Sequence, residues 1–259
     1  GIRKEAFDGR RSLPAGYLTR KILGIDDEID RCPEKGNCLP GIIDTNVDPK
    51  YYVSEEVEEL LDAWEEFRAN VKGLCSPFWL HKAGIGIYSR EQFYQDADIG
   101  YQEMPEWKKA MVMRSRIMYE NNFEFIDAWI ERHKMQDKIL IQQKFEWNCG
   151  TDCKSLREGI IQIRQSGVRV KRPNYFPSLV AMNNTPIIWD EHVQKYRYFT
   201  PKESAKLQSF KSDYKFSDSD AVTYRQLGNS VNVKLVKMFA EGLFRLGKKS
   251  TLIGGNKNG

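Results

Sequence analysis

Residues 197–247 read RYFTPKESAKLQSFKSDYKFSDSDAVTYRQLGNSVNVKLVKMFAEGLFRLG. Thr200-Pro201-Lys202-Glu203 supplies a capping hydroxyl, a proline suited to the first helical position and a glutamate that can reach back to the cap, so a helix opens here and runs through KESAKLQSF. After a polar loop, Val231, Leu235, Val236, Phe239, Ala240, Leu243 and Phe244 recur at three- and four-residue spacing. That spacing predicts an amphipathic helix whose apolar face must dock on something. Gly228-Asn229-Ser230 stands before it: glycine permits close backbone approach, and Asn229 and Ser230 offer polar groups to the positive end of the helix. Taken alone, the tripeptide reads equally as a turn capping a core helix. The tail KKSTLIGGNKNG is expected to fray.

Working outward, residues 139–180 read as strands, with ILIQQKFEW, GIIQIRQ and YFPSLVAM rich in β-branched and aromatic residues and broken by Gly150, Gly167, Pro173 and Pro177. Between Glu158 and Asp190 this region carries Arg164, Arg169, Lys171 and Arg172 and no acid. A phosphate-facing surface has that character, because a carboxylate there would repel the nucleic-acid backbone; a solvated strand with a chance bias has it too. Further upstream, Pro105 opens a helical stretch through WKKAMVMRSRIMYENN into FEFIDAWIERHK, with Lys108, Lys109, Arg114 and Arg116 as further bases that can meet phosphate or solvent. Val57, Leu60, Leu61, Trp64 and Phe67 mark another helix, with Ser54 at its N-cap; the seven acids between Val53 and Phe67 form its solvated face. Residues 1–50, with Pro14, Pro33, Pro40 and Pro49, read as connecting structure.

The whole chain has 259 residues, 41% of them hydrophobic, and a net charge of +4. With a mean hydropathy of -0.60 it is a globular chain that buries a core, neither a disordered nor a collagen-like one. No apolar run is long enough to span a bilayer and the start lacks a secretory apolar region, so a cytoplasmic location is expected. Five scattered cysteines argue against a secreted disulfide framework. Cys32 and Cys38, with Cys149 and Cys153, do not have zinc-knuckle spacing, and no metal site is expected. His81, His133 and His192 stand apart from any nucleophile, which removes hydrolase readings. The six tryptophans read as core and helix packing ahead of base-stacking platforms, and Trp147 and Trp189, which flank the basic strands, are the two to test for stacking on a base.

Three blocks in order, QIRQSGVRVKRPNYFPSLVAMNNTPII, RYFTPKESAKLQSF and YRQLGNSVNVKLV, resemble the C-terminal half of DNA (cytosine-5) methyltransferases of restriction–modification type. The second is similar to that family's motif nine and the third to motif ten, while Ser178-Leu179 in the first resembles the dipeptide that closes the target-recognition domain. Lys202 and Lys206 stand where the family usually has arginine, which keeps charge but loses the planar fork; Phe199 and Phe210-Lys211 also depart from the pattern. No Pro-Cys nucleophile is present, Glu120-Asn121-Asn122 lacks the valine of the family's acid loop, and Gly84-Ile85-Gly86 is not flanked by a strand and a helix. The opening GIRKE resembles the residues that follow the family's arginine-rich motif.

The resemblance implies an α+β chain: residues 1–50 as the tail of a catalytic domain and connector, 51–196 as a target-recognition domain, and 197–259 as helices that complete a Rossmann-like methyltransferase domain. It implies S-adenosylmethionine as cofactor, held at Asn229, Ser230 and Val231, and double-stranded DNA as partner, contacted by Arg164, Arg169, Lys171, Arg172 and Ser178. It implies further that the catalytic residues lie in an N-terminal half missing from this chain, so the polypeptide alone is inactive. The alternative is a stand-alone specificity subunit acting in trans with a separate catalytic chain. A non-catalytic repressor is a weaker reading, because no helix-turn-helix pattern is found.

Overall fold

The computed structural model describes residues 37, 39–88, 101–174, 176–179 and 185–254. These fall into two units, one within residues 37–178 and 185–200, the other comprising Leu179 and residues 201–254. GIRKE, Cys32 and Cys38 lie outside the described residues.

In the larger unit, helix α1 (Glu55–Asn70) buries Leu60, Leu61, Ala63, Trp64 and Phe67, as the spacing predicts. Ser54 precedes it and serves through its carbonyl, which accepts from the amides of Val57 and Glu58, while its hydroxyl makes no capping bond. Strand β1 (Phe78–Trp79) leads into a single 3-10 turn, His81–Ala83. The helical stretch after Pro105 is then divided into α2 (Glu106–Glu120) and α3 (Phe123–Arg132). Asn122 makes the break: its carboxamide donates to the carbonyls of Met118 (2.8 Å) and Lys72 (3.0 Å) and accepts from the Lys72 amide (2.9 Å). A side chain that satisfies backbone groups in this way offers the chain an alternative to continuing the helix.

Five further strands follow: β2 (Lys144–Asn148), β3 (Ile160–Arg164), β4 (Gly167–Lys171), β5 (Ile187–Asp190) and β6 (Lys195–Tyr198). They form a six-stranded sheet in the order β1-β2-β4-β3-β5-β6, in which β2 and β4 run parallel and every other pair antiparallel. The strand expectation for 139–180 holds for KFEWN and IIQIR, whereas residues 140–143 are turns and 176–179 form no strand. Phe145, Val168, Val170, Ile161 and Ile187 carry the sheet's side of a core shared with α1 and α3. The chain is thus a mixed α/β protein built on one sheet and several helices.

Trp64 stands at the centre of that core. Its ring lies parallel to Phe145 with centroids 4.9 Å apart and meets Phe67, Phe78 and Trp129 within 6.3 Å. Both buried indoles keep their N–H groups satisfied, Trp64 on the Gln142 carbonyl (3.1 Å) and Trp129 on the Ala63 carbonyl (2.8 Å). On the sheet's far edge Arg197 and Asp190 are an ion pair at 3.0 Å, with side chains 1% and 3% exposed. Arg197 also donates to the Tyr198 and Asp44 carbonyls, which ties residues preceding α1 to β6.

The smaller unit holds α4 (Pro201–Leu207), α5 (Asp220–Asn229) and α6 (Val233–Gly254). Helix α4 opens at the expected proline. Of the tail expected to fray, residues 248–254 continue α6, and residues 255–259 lie outside the described residues.

Two tests follow from the larger unit. Asp190→Ala should cost about 3–5 kcal/mol in chemical denaturation, because Arg197 would keep a buried charge without its partner; the double variant Asp190→Leu/Arg197→Met should recover most of that loss. On the helical side, Glu66 accepts from His133 Nε2 at 2.6 Å and pairs with Arg132, joining α1 to α3. Burial works against the charged form of Glu66, but the hydrogen bonds from His133 and Arg132, and their charges, outweigh it and hold its carboxyl below the ordinary glutamate range. The clasp is therefore complete above the unfolded glutamate pKa and is lost as pH falls through the lower folded value. The denaturation midpoint should drop on acidification more steeply in the parent than in Glu66→Gln.

Candidate functional site

The residues expected to meet a cofactor lie between α5 and α6, but the turn is built differently from the expectation. Asn229 is the last residue of α5 and Ser230 its C-cap, so the tripeptide closes one helix instead of opening the next. The Ser230 hydroxyl donates to the Leu227 carbonyl at 2.8 Å, where its own amide also points. The cap of α6 is Asn232, whose side-chain oxygen accepts from the Leu235 amide at 3.1 Å. Its amide group donates to the Leu207 carbonyl (2.9 Å) and Ser209 Oγ (3.2 Å), while the Val233 amide reaches the Gln208 carbonyl. One asparagine thus fastens the end of α4 to the start of α6. The sequence signal was a second Asn three residues beyond the first, just ahead of the apolar stripe.

With Asn232 and Ser230 holding the turn, Asn229 and Val231 are left at the surface. Asn229 is exposed and its carboxamide has no hydrogen-bond partner among the described residues, and Val231 is 63% exposed. The turn therefore presents a free carboxamide beside an apolar side chain and a serine oxygen that still has lone pairs to accept with.

The four strand bases are divided between two places. Val168 and Val170 point into the core, which turns Arg169 and Lys171 to the opposite face of β4. Arg169 Nε donates to Glu146 Oε2 at 2.7 Å and Arg164 Nη2 lies 3.7 Å from the same oxygen. Arg172 donates instead to the Cys149 carbonyl (3.1 Å) and pairs with Asp152 (3.0 Å). The segment that lacks an acid in sequence thus receives one from β2 and one from the loop after it. Ser178 is exposed outside any strand.

Among the bases of α2, Arg116 is a core residue, 2% exposed, donating to the Ala83 carbonyl at 3.0 Å, and it cannot face a ligand. Lys109 pairs with Glu106 within the helix. Trp147 and Trp189 are already covered on one face, by the guanidinium groups of Arg68 (5.1 Å) and Arg157 (4.2 Å). Gly84 has a φ of +75° and its missing side chain makes room for the Tyr88 ring, a packing reason for glycine there. Cys75, Cys149 and Cys153 are free thiols that burial pushes above their ordinary pKa, which makes them poor nucleophiles at neutral pH. Among the described residues no group of three or more His, Cys, Asp or Glu converges on a metal position, and no helix is long and apolar enough to cross a membrane.

The profile of the C-5 cytosine-specific DNA methylase family matches residues 87–245. Type II methyltransferase M.AluI of Cellulosimicrobium cellulans is 32% identical over 195 residues, which cover 68% of this chain and 36% of that protein. Type II methyltransferase M.HgiCI of Herpetosiphon aurantiacus is 43% identical over 54 residues, covering 21% of this chain and 13% of that protein. The tRNA (cytosine(38)-C(5))-methyltransferase of Homo sapiens is 37% identical over 90 residues, covering 32% of this chain and 23% of that enzyme. The chain spans little more than a third of the first of these relatives and smaller shares of the other two. No solved structure matches it.

The two asparagines of the turn should separate in a stability measurement. Asn232→Ala removes a helix cap and the bond to Leu207, and should cost about 1–2 kcal/mol in the unfolding of the C-terminal helices. Asn229→Ala removes no internal bond and should stay within about 0.5 kcal/mol of the parent. Circular dichroism during urea titration reads both.

Proposed function

The chain belongs to the C-5 cytosine-specific DNA methylase family, and from that premise we propose that it is the part of a DNA cytosine-5 methyltransferase that reads the DNA site and completes the S-adenosylmethionine pocket. The observation that carries this reading is the surface of α6. Leu235, Val236 and Leu243 are each at least 41% exposed and Phe244 is 73% exposed, on a helix whose sequence stripe is made to be covered. Exposed apolar surface of this kind is an unused interface. The occupant is the catalytic half of the enzyme, whether joined to this chain in cis or carried on a separate polypeptide as a specificity-subunit arrangement requires.

S-adenosylmethionine, when bound, supplies the methyl group. The chain's own part is to present the Asn229 carboxamide, the Ser230 oxygen and the Val231 side chain to it, and these fit a ligand with a polar amino-acid end because the structure leaves the first unbonded and the third exposed. The larger unit has the part of holding the DNA duplex. DNA is favoured over tRNA because the type II methyltransferase match extends over two thirds of the chain and the tRNA-enzyme match over one third. In the reaction implied by the family resemblance, a cysteine thiolate adds to C6 of a flipped cytosine and is eliminated after methylation at C5. None of the chain's five cysteines follows a proline, and the three described ones are buried or half-buried with raised pKa values, so this reading has the other half supply the thiolate.

The test is reconstitution. The chain incubated with labelled S-adenosylmethionine and mixed-sequence DNA should incorporate no label, and adding a separately produced catalytic half should restore incorporation. Activity of the chain alone, persisting through purification, would overturn the reading. In the reconstituted complex Asn229→Ala should weaken cofactor binding by about 1–2 kcal/mol and leave DNA affinity without cofactor nearly unchanged.

A further inference from the structure

The strand bases singled out in the sequence are largely paired, yet one end of the sheet is strongly positive for a reason that sequence order conceals. Lys144 is the first residue of β2, directly opposite Trp79 of β1. The Trp79 amide donates to Ser115 Oγ of α2 at 3.1 Å, and Arg116 of the same helix holds the Ala83 carbonyl, so α2 is fixed across both β1 and the His81–Ala83 turn. On α2, Lys108, Val112 and Ser115 share one helical face, and the last two are fully buried. Lys108 therefore extends from the packed face of the helix at the margin of β1, and Lys82 sits in the middle of the adjoining turn. From the other side Gly167 brings the β3–β4 hairpin against Lys144: a side chain at Gly167 would lie 2.6 Å from Lys144 Cβ and 2.8 Å from its carbonyl oxygen. That close approach places Arg164, paired with Gly167 in register, at the same end.

Lys82 and Lys108 thus gather at Lys144, with Arg164 and Arg169 beyond it, and Glu146, the carboxylate that acts on Lys144 and Arg164, is already engaged by the two arginines. Burial, then the charges of Lys82 and Lys108, lower the pKa of Lys144 against the pull of Glu146. Burial and then Arg169 lower that of Arg164, whose Nε is buried without a hydrogen-bond partner. Lys82 and Lys144 make no ion pair among the described residues, and the contact of Lys108 is the face of the neighbouring Trp107, which neutralises nothing. Lys144 and Arg164 are thus held beside other cations at a cost to their own ionisation, which a bound counter-anion would relieve.

We infer that this end of the sheet, with Lys82, Lys108 and Lys144 as its unpaired members and Arg164 and Arg169 behind them, is a seat for the phosphate backbone of duplex DNA. The inference rests on the DNA-reading role proposed above and adds to it where the backbone lies. The lysines are separated by up to 62 positions in sequence, which is why no basic motif marks them. As compact point charges they hold phosphates without reading bases, so the seat sets register and affinity and leaves sequence choice to other residues.

The full chain should be tested for binding to a mixed-sequence duplex across a salt series. In the triple variant Lys82→Gln/Lys108→Gln/Lys144→Gln the slope of log K against log salt should fall by roughly two to three, and affinity near 0.1 M salt by at least about tenfold. The triple Lys82→Arg/Lys108→Arg/Lys144→Arg should keep the parent slope. A control with the same loss of charge, Lys72→Gln/Lys134→Gln/Lys154→Gln, should change the slope by less than one, and the melting temperature of the glutamine triple should not fall. The ammonium pKa of Lys144, followed by NMR, should rise when DNA is added. An unchanged slope in a chain that does bind DNA, or equal losses in the two glutamine triples, would overturn the seat and leave the DNA-reading role standing. A parent chain that binds no duplex at low salt would overturn both.

Discussion

The larger unit depends on the stacking of Trp64 against Phe145. That contact joins α1 to the sheet, and Phe67, Phe78 and Trp129 close around it from α1, β1 and α3. Aromatic pairs in offset or edge geometry contribute about 0.5–1.5 kcal/mol beyond their burial, so this cluster is the steepest part of the fold's energy. It also fixes geometry. With both indole N–H groups committed to backbone carbonyls on Gln142 and Ala63, the rings cannot slide, and the helices stand at set positions against the sheet. The basic end of the sheet is a consequence: Lys144 immediately precedes Phe145, so its position is set by the stack, and α2 brings Lys108 to it through contacts with β1.

How much of this was legible depends on how local the signal was. The α1 stripe and the Pro201 helix start are encoded within a dozen residues each, and both hold. The break at Asn122 was hidden because apolar periodicity continues through it. What stops the helix is a bond from Asn122 to Lys72, 50 positions away, and no local pattern reports that. The β5–β6 hairpin was overlooked for a similar reason. Its charged pair, Asp190 and Arg197, looks like surface in sequence and is buried only because the two side chains satisfy each other.

The candidate site shows the same divide. The sequence places Gly228-Asn229-Ser230 at the opening of the apolar helix, whereas in the structure Gly228 and Asn229 end α5 and Ser230 is its C-cap. The tripeptide is positioned in sequence to open that helix, yet the chain gives the capping role to Asn232. The reversal has a functional consequence. A motif residue spent on capping would be structural, while Asn229, relieved of that task by Asn232, keeps its carboxamide at the surface, as the proposed cofactor contact requires. Capping thus falls to Asn232, and the proposed cofactor contact to Asn229, three residues away.

Charge obeys a further rule that sequence order does not convey. The stretch from Arg164 to Arg172 looks basic because no acid occurs within it, yet Glu146 from β2 meets Arg164 and Arg169, and Asp152 from the following loop meets Arg172. Conversely, Lys82, Lys108 and Lys144 look unremarkable one at a time and become a cluster only when a two-residue strand, a helix face and a glycine-tight hairpin are folded together. Net charge in a window therefore measures the wrong quantity for nucleic-acid binding. What matters is the cation left without a carboxylate after the sheet has paired its strands, because only that charge can displace counterions from a phosphate backbone.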